Sequence, residues 1–429
     1  METIINSANK SYQLWSQKPL PDRLSFLPLL AKRLLEHKEE YAALITTEMQ
    51  KPIAQAIAEV EKCALLCAYY HENAPTFLTP KTIETEASES FVVYDPLGVI
   101  LGIMPWNFPF WQVFRFAIPT LVVGNTVVVK HASNVPKCAA VLQKLFEESG
   151  FPKGIYQNLP ITSNEVAAAI AHPVVQGVSL TGSESAGKAV AAIAGTHLKK
   201  CVLELGGNNA FIVLEDADLE VAVATAINAR MQNAGQSCIA AKRFLIQESI
   251  AATFILQFKA ALQNLKTGDL LDKSTQIGPL ARIDLAVELD HQVQKSLSMG
   301  AQLILGGTRD GAFYAPTIVT KVTPQMPVFI EETFGPVAAI TTFTNLDEAI
   351  SLSNASNFGL GVSVFTQNVA AIKTKISAFN EGAVFINEMV KSDPRLPFGG
   401  VKNSGFGREL AEEGLKEFVN TKTVFIKRL

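Results

Sequence analysis

Short apolar runs rich in β-branched residues alternate with helix-like segments from about residue 97 onward. The runs GVILGIMP, NTVVVKHAS and VVQGVSLTGS have the length and composition of buried strands. Between and after them, FRFAIPTLVVG, PKCAAVLQKLFEESG and ESAGKAVAAIAGTHL have helical spacing. A second series begins near KCVLELGGNNAF and reaches about residue 405. This alternation predicts an α/β fold with parallel, doubly wound sheets.

The regions before and after this alternation have other patterns. Residues 20 to 75 carry apolar residues at three-to-four spacing, which predicts helices. The segment TIETEASESFVVYDPLG alternates and is punctuated by Pro and Gly, which indicates a hairpin, and NTKTVFIKRL at the end indicates a short strand. Cys63 and Cys67 share a helical face without a neighbouring His or Cys cluster, so we expect packing there and no metal site.

Length and charge limit the class of protein. A chain of 429 residues exceeds one simple core, so we expect two or three domains. A net charge of -3 gives no overall basic field for nucleic acid or anionic membranes. Charged residues make up only 18%, which favours extensive burial, including burial between the subunits of a symmetric oligomer. No signal peptide or bilayer-spanning run is visible, and five scattered cysteines favour the cytoplasm.

The segment TGSESAGKA follows a predicted strand and opens a predicted helix. It contains a G-x-x-x-x-G-K run, but Ala189 stands where a nucleotide-hydrolysing P-loop needs Ser or Thr for Mg²⁺. The free amides and the positive end of the helix would still suit a diphosphate. An ordinary strand-to-helix turn is the alternative.

Three polar residues are candidates for chemistry. Cys238, in QNAGQSC, is either a buried filler or a nucleophile with a lowered pKa in a turn leading into a helix. Glu204, in the apolar run VLELGG, is either part of a structural salt bridge or a base with a raised pKa. Asn107, between prolines in PWNFP, either caps the next helix or donates its amide to an oxyanion.

Six segments together are more specific than any one of them. PWNFP, LTGS, LELGG, GQSC, EETFGP and PFGGVKNSGFGRE occur in this order along nearly the whole chain. In this order they resemble the aldehyde dehydrogenase superfamily, and KHASN, CVLELGG, AAKRF and FGGVKNSGFGREL are most similar to its succinate-semialdehyde dehydrogenases. The resemblance implies NAD(P)-dependent oxidation of succinate semialdehyde. Glutarate semialdehyde, general aliphatic aldehydes and a non-catalytic protein that kept the fold are the alternatives.

The resemblance also implies a domain organisation. It predicts a Rossmann-like cofactor domain in residues 1–77 and 97–206, and an α/β catalytic domain in residues 207–410. A small β-extension made of residues 78–96 and 411–429 would serve oligomerisation, so the resemblance implies a homodimer or homotetramer. Family members usually begin with about two dozen further residues, so we expect an effect on assembly or on the cofactor domain.

Catalytic roles follow from the resemblance residue by residue. In this family the Cys of the G-Q-x-C motif is the nucleophile, which implies that role for Cys238. The amide of Asn107 and the backbone N–H of Cys238 would hold the oxyanion, and Glu204 would activate the water that hydrolyses the thioester. Glu409, in GRE, resembles a second carboxylate that relays protons. Ala240 replaces a redox-switch Cys of some relatives, so that disulfide is not expected.

The resemblance implies a dinucleotide site as well. Lys130 and Ser133 of KHAS match positions that face the adenosine ribose. Relatives that prefer NAD often carry Glu at the second position, where it would repel a 2′-phosphate, so Ser133 favours NADP, with NAD as the alternative. Further expected contacts to the adenosine, the diphosphate, and the nicotinamide ribose and ring are Trp106, Gly154, Thr181, Gly182, Ser183, Glu332 and Phe334.

The substrate's distal carboxylate requires a cation. Arg115 lies eight residues after Asn107, where similar semialdehyde dehydrogenases use an Arg as a bidentate clamp. A helix Arg paired with an acid is the alternative. Other members place a second Arg where this chain has Gln232, so we name Ser392 and Arg395 as candidates to complete the site.

Overall fold

A computed structural model describes residues 1–428, and its N-terminal part is helical. The first elements are α1 (Glu2–Trp15), α2 (Leu20–Leu24), α3 (Phe26–Glu36), α4 (Lys38–Met49), α5 (Ile53–Phe77), β1 (Lys81–Thr82) and β2 (Glu89–Pro96). Leu27, Leu30 and Leu34 form the buried face of α3, which packs on α5, as the apolar spacing predicts.

The next part alternates strands and helices. Its elements are β3 (Val99–Met104), α6 (Trp111–Val123), β4 (Thr126–His131), α7 (Pro136–Glu148), β5 (Tyr156–Asn158), α8 (Val166–Ala171), β6 (Val175–Thr181), α9 (Glu184–Thr196) and β7 (Lys200–Glu204). Most residues of these strands are buried, because helices cover both faces of the sheet that they form.

A second alternating series follows, and its last two strands pair with strands of the preceding parts of the chain. Its elements are β8 (Asn209–Val213), α10 (Leu219–Met231), β9 (Ala241–Gln247), α11 (Glu248–Gln263), α12 (Ile283–Ser298), β10 (Gln302–Leu305), β11 (Arg309–Asp310), β12 (Phe313–Tyr314), β13 (Thr317–Thr320), α13 (Pro327–Ile330), β14 (Val337–Phe343), α14 (Leu346–Asn354), β15 (Phe358–Gly359), β16 (Val362–Phe365), α15 (Val369–Lys373), β17 (Val384–Ile386), β18 (Val401–Lys402), β19 (Gly405–Phe406), α16 (Ala411–Leu415) and β20 (Val419–Ile426).

These strands form two large sheets and one small one. The first large sheet has the order β19-β7-β6-β3-β4-β5, and the second has the order β10-β13-β14-β9-β8-β16-β17. Both are parallel, as predicted, except that β19 and β10 are antiparallel edge strands. The third sheet, β1-β2-β20, is antiparallel and joins the predicted hairpin to the predicted final strand.

The position of β19 differs from the sequence-based division of the chain. Gly405–Phe406 lie within the range predicted for the catalytic domain, yet they pair with Leu203 and Glu204 of β7 in the first sheet. Two residues of strand without an apolar run give no signal in a sequence, so only the pairing shows where this segment belongs.

The carboxyl ends of the first sheet position most of the polar candidates. Thr181 is the last residue of β6, Glu204 is the last residue of β7, and Asn107 follows β3. In parallel α/β sheets, ligands bind outside the carboxyl ends of the strands. Within residues 1–428, no helix has the length and apolar character needed to cross a bilayer.

Candidate active site

Cys238 lies in a loop that joins α10 to β9 and has an unusual backbone. Asn233, Ala234 and Gly235 all have positive φ angles, of 54°, 49° and 76°. A left-handed conformation costs a non-glycine residue about 1–2 kcal/mol, so the rest of the structure must hold this turn. The expectation of a helix after Cys238 was wrong, because the chain enters β9 at Ala241.

Two buried cations hold the carbonyl groups of this loop. Arg230 donates a hydrogen bond to the carbonyl of Gly235 at 3.2 Å. The Nζ of Lys242 donates to the carbonyls of Ser237 and Cys238, at 2.8 and 2.7 Å. Both cations are fully buried. The turn before the thiol is therefore fixed by ionic hydrogen bonds, which are stronger than neutral ones.

The thiol of Cys238 is held in its neutral form. Burial raises its pKa to about 11, and Glu332 and Glu204 add to the rise, although Arg115 and Lys242 oppose it. The expected lowering of this pKa was wrong, because desolvation outweighs the two nearby cations. At neutral pH a thiol with this pKa is a thiolate in on the order of one molecule in ten thousand.

Asn107 is fixed directly beside the cysteine loop. Its side-chain Nδ2 donates to the carbonyl of Gln236 at 3.1 Å. The backbone carbonyl of Asn107 accepts hydrogen bonds from Lys51 Nζ at 2.8 Å and from Asn233 Nδ2 at 2.9 Å. A carboxamide has two N–H donors, so one is left for an oxygen atom that develops charge near Cys238.

A buried ion pair supports the segment that carries Asn107. Lys51 pairs with Glu59, and both side chains are inaccessible to solvent. Glu59 Oε1 accepts hydrogen bonds from the backbone N–H groups of Phe110 and Trp111, at the start of α6, at 2.9 and 3.1 Å. The sequence analysis missed Lys51 and Glu59. A charged residue on an otherwise apolar helix face was the available signal.

Glu204 is a buried carboxyl group without a hydrogen-bond partner among residues 1–428. Its pKa lies well above the usual range, because burial and the charge of Glu409 outweigh Arg115 and Arg408. A raised pKa for Glu204 is the direction that the sequence predicted. The alternative, a structural salt bridge, is not found for this residue among residues 1–428. Its Oε1 lies only 2.7 Å from the place of a Cβ on Gly399, so a side chain at Gly399 would collide with it.

Arg115 and Glu409, which the sequence analysis gave separate roles, form a buried ion pair through Nε and Oε2. Ser179 Oγ lies 3.5 Å from the other carboxylate oxygen of Glu409. Burial raises the pKa of Glu409, whereas Arg115 opposes the rise. The guanidinium of Arg115 also lies 4.4 Å from the ring centroid of Phe398. The charge of Arg115 is therefore already balanced by an acid.

Two spaces meet at Cys238: a smaller cavity of about 270 Å³ and a larger cleft of about 730 Å³. Cys238 and Gln112 line both of them. A thiol between two separate spaces can contact one bound molecule on each side. That arrangement suits a reaction between a small substrate and a larger cofactor.

The larger cleft contains most of the predicted cofactor residues. Its lining includes Trp106, Lys130, Thr181, Gly182, Ser183, Glu332 and Phe334. The rings of Trp106 and Phe334 meet edge to face at 5.9 Å, and Thr181 to Ser183 lead into the first turn of α9. Free amides at a helix start, a cation and aromatic rings fit a dinucleotide.

Two predicted cofactor residues are not among the described residues that line the larger cleft. Ser133 is exposed in the loop after β4. Gly154 precedes β5 with a φ of 88°, and a Cβ there would lie 2.2 Å from Ser11 Oγ. Close packing against α1 therefore explains why residue 154 is a glycine.

The smaller cavity contains part of the predicted substrate site. Arg115, Ser392 and Gln232 line it, together with Lys62 and Trp111. Arg395 does not line it, because its side chain is exposed and pairs with Asp393 at 2.7 Å. The sequence analysis missed Lys62, because a lysine within a helix normally lies in solvent.

The fold and the site define an α/β protein with a cysteine between a larger cleft that fits a dinucleotide and a smaller cavity. Residues 1–424 match the Aldehyde dehydrogenase family. The chain belongs to the aldehyde dehydrogenase family, as the order of its motifs predicted.

Individual relatives match over nearly the whole chain. The succinate-semialdehyde dehydrogenase (NADP(+)) of Deinococcus radiodurans is 46% identical, over 98% of this chain and 89% of its own length. The succinate semialdehyde dehydrogenase (NAD(P)+) Sad of Escherichia coli is 46% identical, over 100% of this chain and 94% of its own length. A crystal structure of succinic semialdehyde dehydrogenase from Streptococcus pyogenes with NADP+ aligns with a TM-score of 0.97 at 36% identity. The alignment covers 100% of this chain and 95% of that protein.

Proposed function

We propose that this protein oxidises succinate semialdehyde to succinate with NADP, with Cys238 as the nucleophile. The observation that carries the proposal is the position of the thiol, which lines both the larger cleft and the smaller cavity. The smaller cavity also contains cationic side chains, which a substrate with a distal carboxylate requires. The names of the relatives from Deinococcus and Escherichia support the same substrate.

The first chemical step forms a bond between carbon and sulfur. The Cys238 thiol loses its proton to water, the resulting thiolate attacks the aldehyde carbon, and the carbonyl oxygen becomes an oxyanion. The free N–H of the Asn107 amide and the backbone N–H of Cys238 stabilise that charge. The tetrahedral carbon then loses a hydride and becomes a thioester. When bound, the oxidised nicotinamide supplies the hydride acceptor.

The second step releases the acid. Glu204 removes a proton from water, the hydroxide attacks the thioester, and the C–S bond breaks to give succinate and the free thiol. A carboxylate with a raised pKa is a stronger base, which suits Glu204. Glu204 lines neither described space, so its side chain must turn away from Gly399 to reach the thioester. Glu409, paired with Arg115, would take the proton onward.

The proposed preference for NADP depends on the segment KHAS. Lys130 lines the larger cleft, so its ammonium group is available to a phosphate on the adenosine ribose. Ser133 is a small hydroxyl donor where a Glu would repel that phosphate.

Compartment and assembly are part of the proposal. All five cysteines are free thiols, which favours the reducing cytoplasm. The sheet β1-β2-β20 presents an exposed edge and half-exposed apolar side chains, Phe425 and Ile426. We propose that it joins subunits into a homodimer or homotetramer.

A substrate panel tests the proposed function. The enzyme is given NADP and each of succinate semialdehyde, glutarate semialdehyde and butanal, and reduced cofactor is followed by absorbance. We expect kcat/KM for succinate semialdehyde to exceed that for butanal by about 100-fold, because one charged contact contributes about 1.5–3 kcal/mol. Equal values for the two would reject the substrate assignment, and a preference for glutarate semialdehyde would replace it.

A further inference from the structure

Lys62 is a cation inside the smaller cavity that the proposed mechanism does not use. It lies on α5, and its half-buried side chain lines the cavity together with Cys238. Its Nζ lies 4.2 Å from the ring centroid of Trp111 and donates a hydrogen bond to Ser392 Oγ at 2.8 Å. The ammonium group is thus held in place at the wall of the cavity.

The charge of Lys62 is not balanced by an acid. Among residues 1–428, the carboxylates that influence it are those of Asp393 and Glu59, which pair with Arg395 and Lys51. Burial and the charge of Arg115 lower the pKa of Lys62 to about 8, so the ammonium form still predominates at neutral pH. A partly desolvated cation without a counter-charge is an attractive site for an anion.

Ser392 has a proton to donate. Its Oγ accepts one hydrogen bond from Lys62 and a second from Trp111 Nε1, at 2.8 and 3.0 Å. A hydroxyl group has two acceptor sites and one O–H, so both acceptor sites are used. The O–H has no acceptor among residues 1–428 and can be donated to an anion in the cavity.

Arg115 is less suited to hold the substrate alone. Its Nε faces Glu409, and its Nη2 lies 3.5 Å from Thr181 Oγ1. Gln232 lines the same cavity, where it replaces the second arginine of other family members. An anion in this cavity therefore meets two cations that are already paired, Arg115 and Lys391, and one, Lys62, that is not.

We propose that Lys62 and the hydroxyl group of Ser392 bind the distal carboxylate of the substrate, and that Lys62 determines the preference for aldehydes that carry one. This inference rests on the proposed oxidation of succinate semialdehyde. It supplies a cation from α5 to the cavity in which Gln232 carries no charge.

The test compares Lys62→Met and Lys62→Arg with the wild type on succinate semialdehyde and on butanal, with NADP. Lys62→Met keeps the side-chain length and removes the charge. We expect it to lower the ratio of the two kcat/KM values about 10- to 100-fold, mainly through a higher KM for succinate semialdehyde. Lys62→Arg keeps the charge and should retain most of the ratio. Lys38→Met, at a half-exposed position on α4 outside the smaller cavity, is the control and should leave the ratio unchanged.

The outcomes separate this inference from the proposed function. If the wild type favours succinate semialdehyde and Lys62→Met keeps that preference, Lys62 is not the carboxylate site and the substrate assignment stands. If Lys62→Met slows both substrates equally, its role is to support Trp111, and the inference is again rejected. If the wild type has no preference, the substrate assignment fails and the inference fails with it. Thermal unfolding of each variant identifies loss of fold.

Discussion

The Cys238 thiol lies at the junction of the two spaces with a raised pKa, so a step that uses it as a nucleophile must first remove its proton. Burial makes Cys238 unreactive by itself, while Arg115 and Lys242 limit the rise of its pKa. A thiol that stays neutral reacts slowly with oxidants and alkylating agents. The cost is that deprotonation must accompany binding or catalysis.

The reactivity of this thiol should increase with pH. Iodoacetamide should alkylate Cys238 of the cofactor-free enzyme about tenfold faster for each pH unit between about 7 and 9, since the thiolate fraction grows in that proportion below a pKa of about 11. Peptide mass spectrometry measures the adduct. A rate that levels off below pH 8 would show a lowered pKa and contradict this account.

Replacing the thiol should remove the chemistry and leave the fold. We expect Cys238→Ala to lower kcat by about 10⁴-fold or more, with NADP binding retained, because no other group forms the thioester. Cys201→Ala, which removes a half-buried thiol on β7, is the control and should keep its activity. A Cys238→Ala enzyme that still turns over at the wild-type rate would falsify the assignment of the nucleophile.

We also expect a single residue, Ser133, to affect the preference for NADP over NAD. Ser133→Glu should lower the ratio of kcat/KM for NADP to that for NAD about 10- to 100-fold, because a carboxylate repels the 2′-phosphate. Ser133→Gln has the same size without the charge and should change the ratio much less. If both variants behave alike, size and not charge acts at this position, and a wild type that prefers NAD would reject the interpretation of Ser133.

At the scale of elements, the start of α6 and the segment that carries Asn107 depend on a residue from another helix. Glu59 of α5 accepts the N–H groups of Phe110 and Trp111 and pairs with Lys51, which in turn binds the carbonyl of Asn107. The position of Asn107, the proposed oxyanion donor, is therefore decided by the packing of α5 against α6.

Breaking this connection should cost stability. Glu59→Gln leaves Lys51 buried without a counter-charge, so we expect a loss of about 3–5 kcal/mol in the free energy of unfolding. Glu61→Gln, on the exposed face of the same helix, breaks only a surface pair with Lys38 and should cost less than about 1 kcal/mol. Denaturant unfolding measures both, and equal losses would show that the buried pair has no special role.

At the scale of the whole molecule, strands that are far apart in the sequence pair within the same sheets. The final strand, β20, pairs with β2 over eight residues, from Glu89 with Ile426 to Pro96 with Val419. β19 extends the first sheet beside β7. The last part of the chain therefore supports both the first sheet and the sheet that we propose to join subunits.

Removal of β20 tests the proposed assembly. Deletion from Val419 onward should lower the molar mass in light scattering after gel filtration to that of a smaller assembly, because β2 loses its partner strand. Deletion from Lys427 onward leaves β20 intact and should keep the wild-type mass. An unchanged mass after the longer deletion would place the subunit contact elsewhere.

The site was predictable where a residue's role depends on its neighbours in the sequence. The grouping of Trp106, Lys130, Thr181 and Phe334 around one cleft agrees with the family resemblance of the short motifs that contain them, and the raised pKa of Glu204 follows from a carboxylate in an apolar run. Arg395, which the same reasoning suggested for the substrate site, lies outside the smaller cavity. Its partner, Asp393, is only two residues away, and nothing in the spacing showed which way the pair would face.

The sequence by itself determined the alternation of strands and helices, the family and the order of the catalytic segments, because periodicity and motifs are local properties of a chain. The tertiary structure alone decided the raised pKa of Cys238, the pairing of Arg115 with Glu409, the place of β19 and the presence of Lys62 in the smaller cavity. The physical reason is that desolvation and charge pairing depend on which distant groups come together. Those distances are set only when the two large sheets and α5 pack against one another.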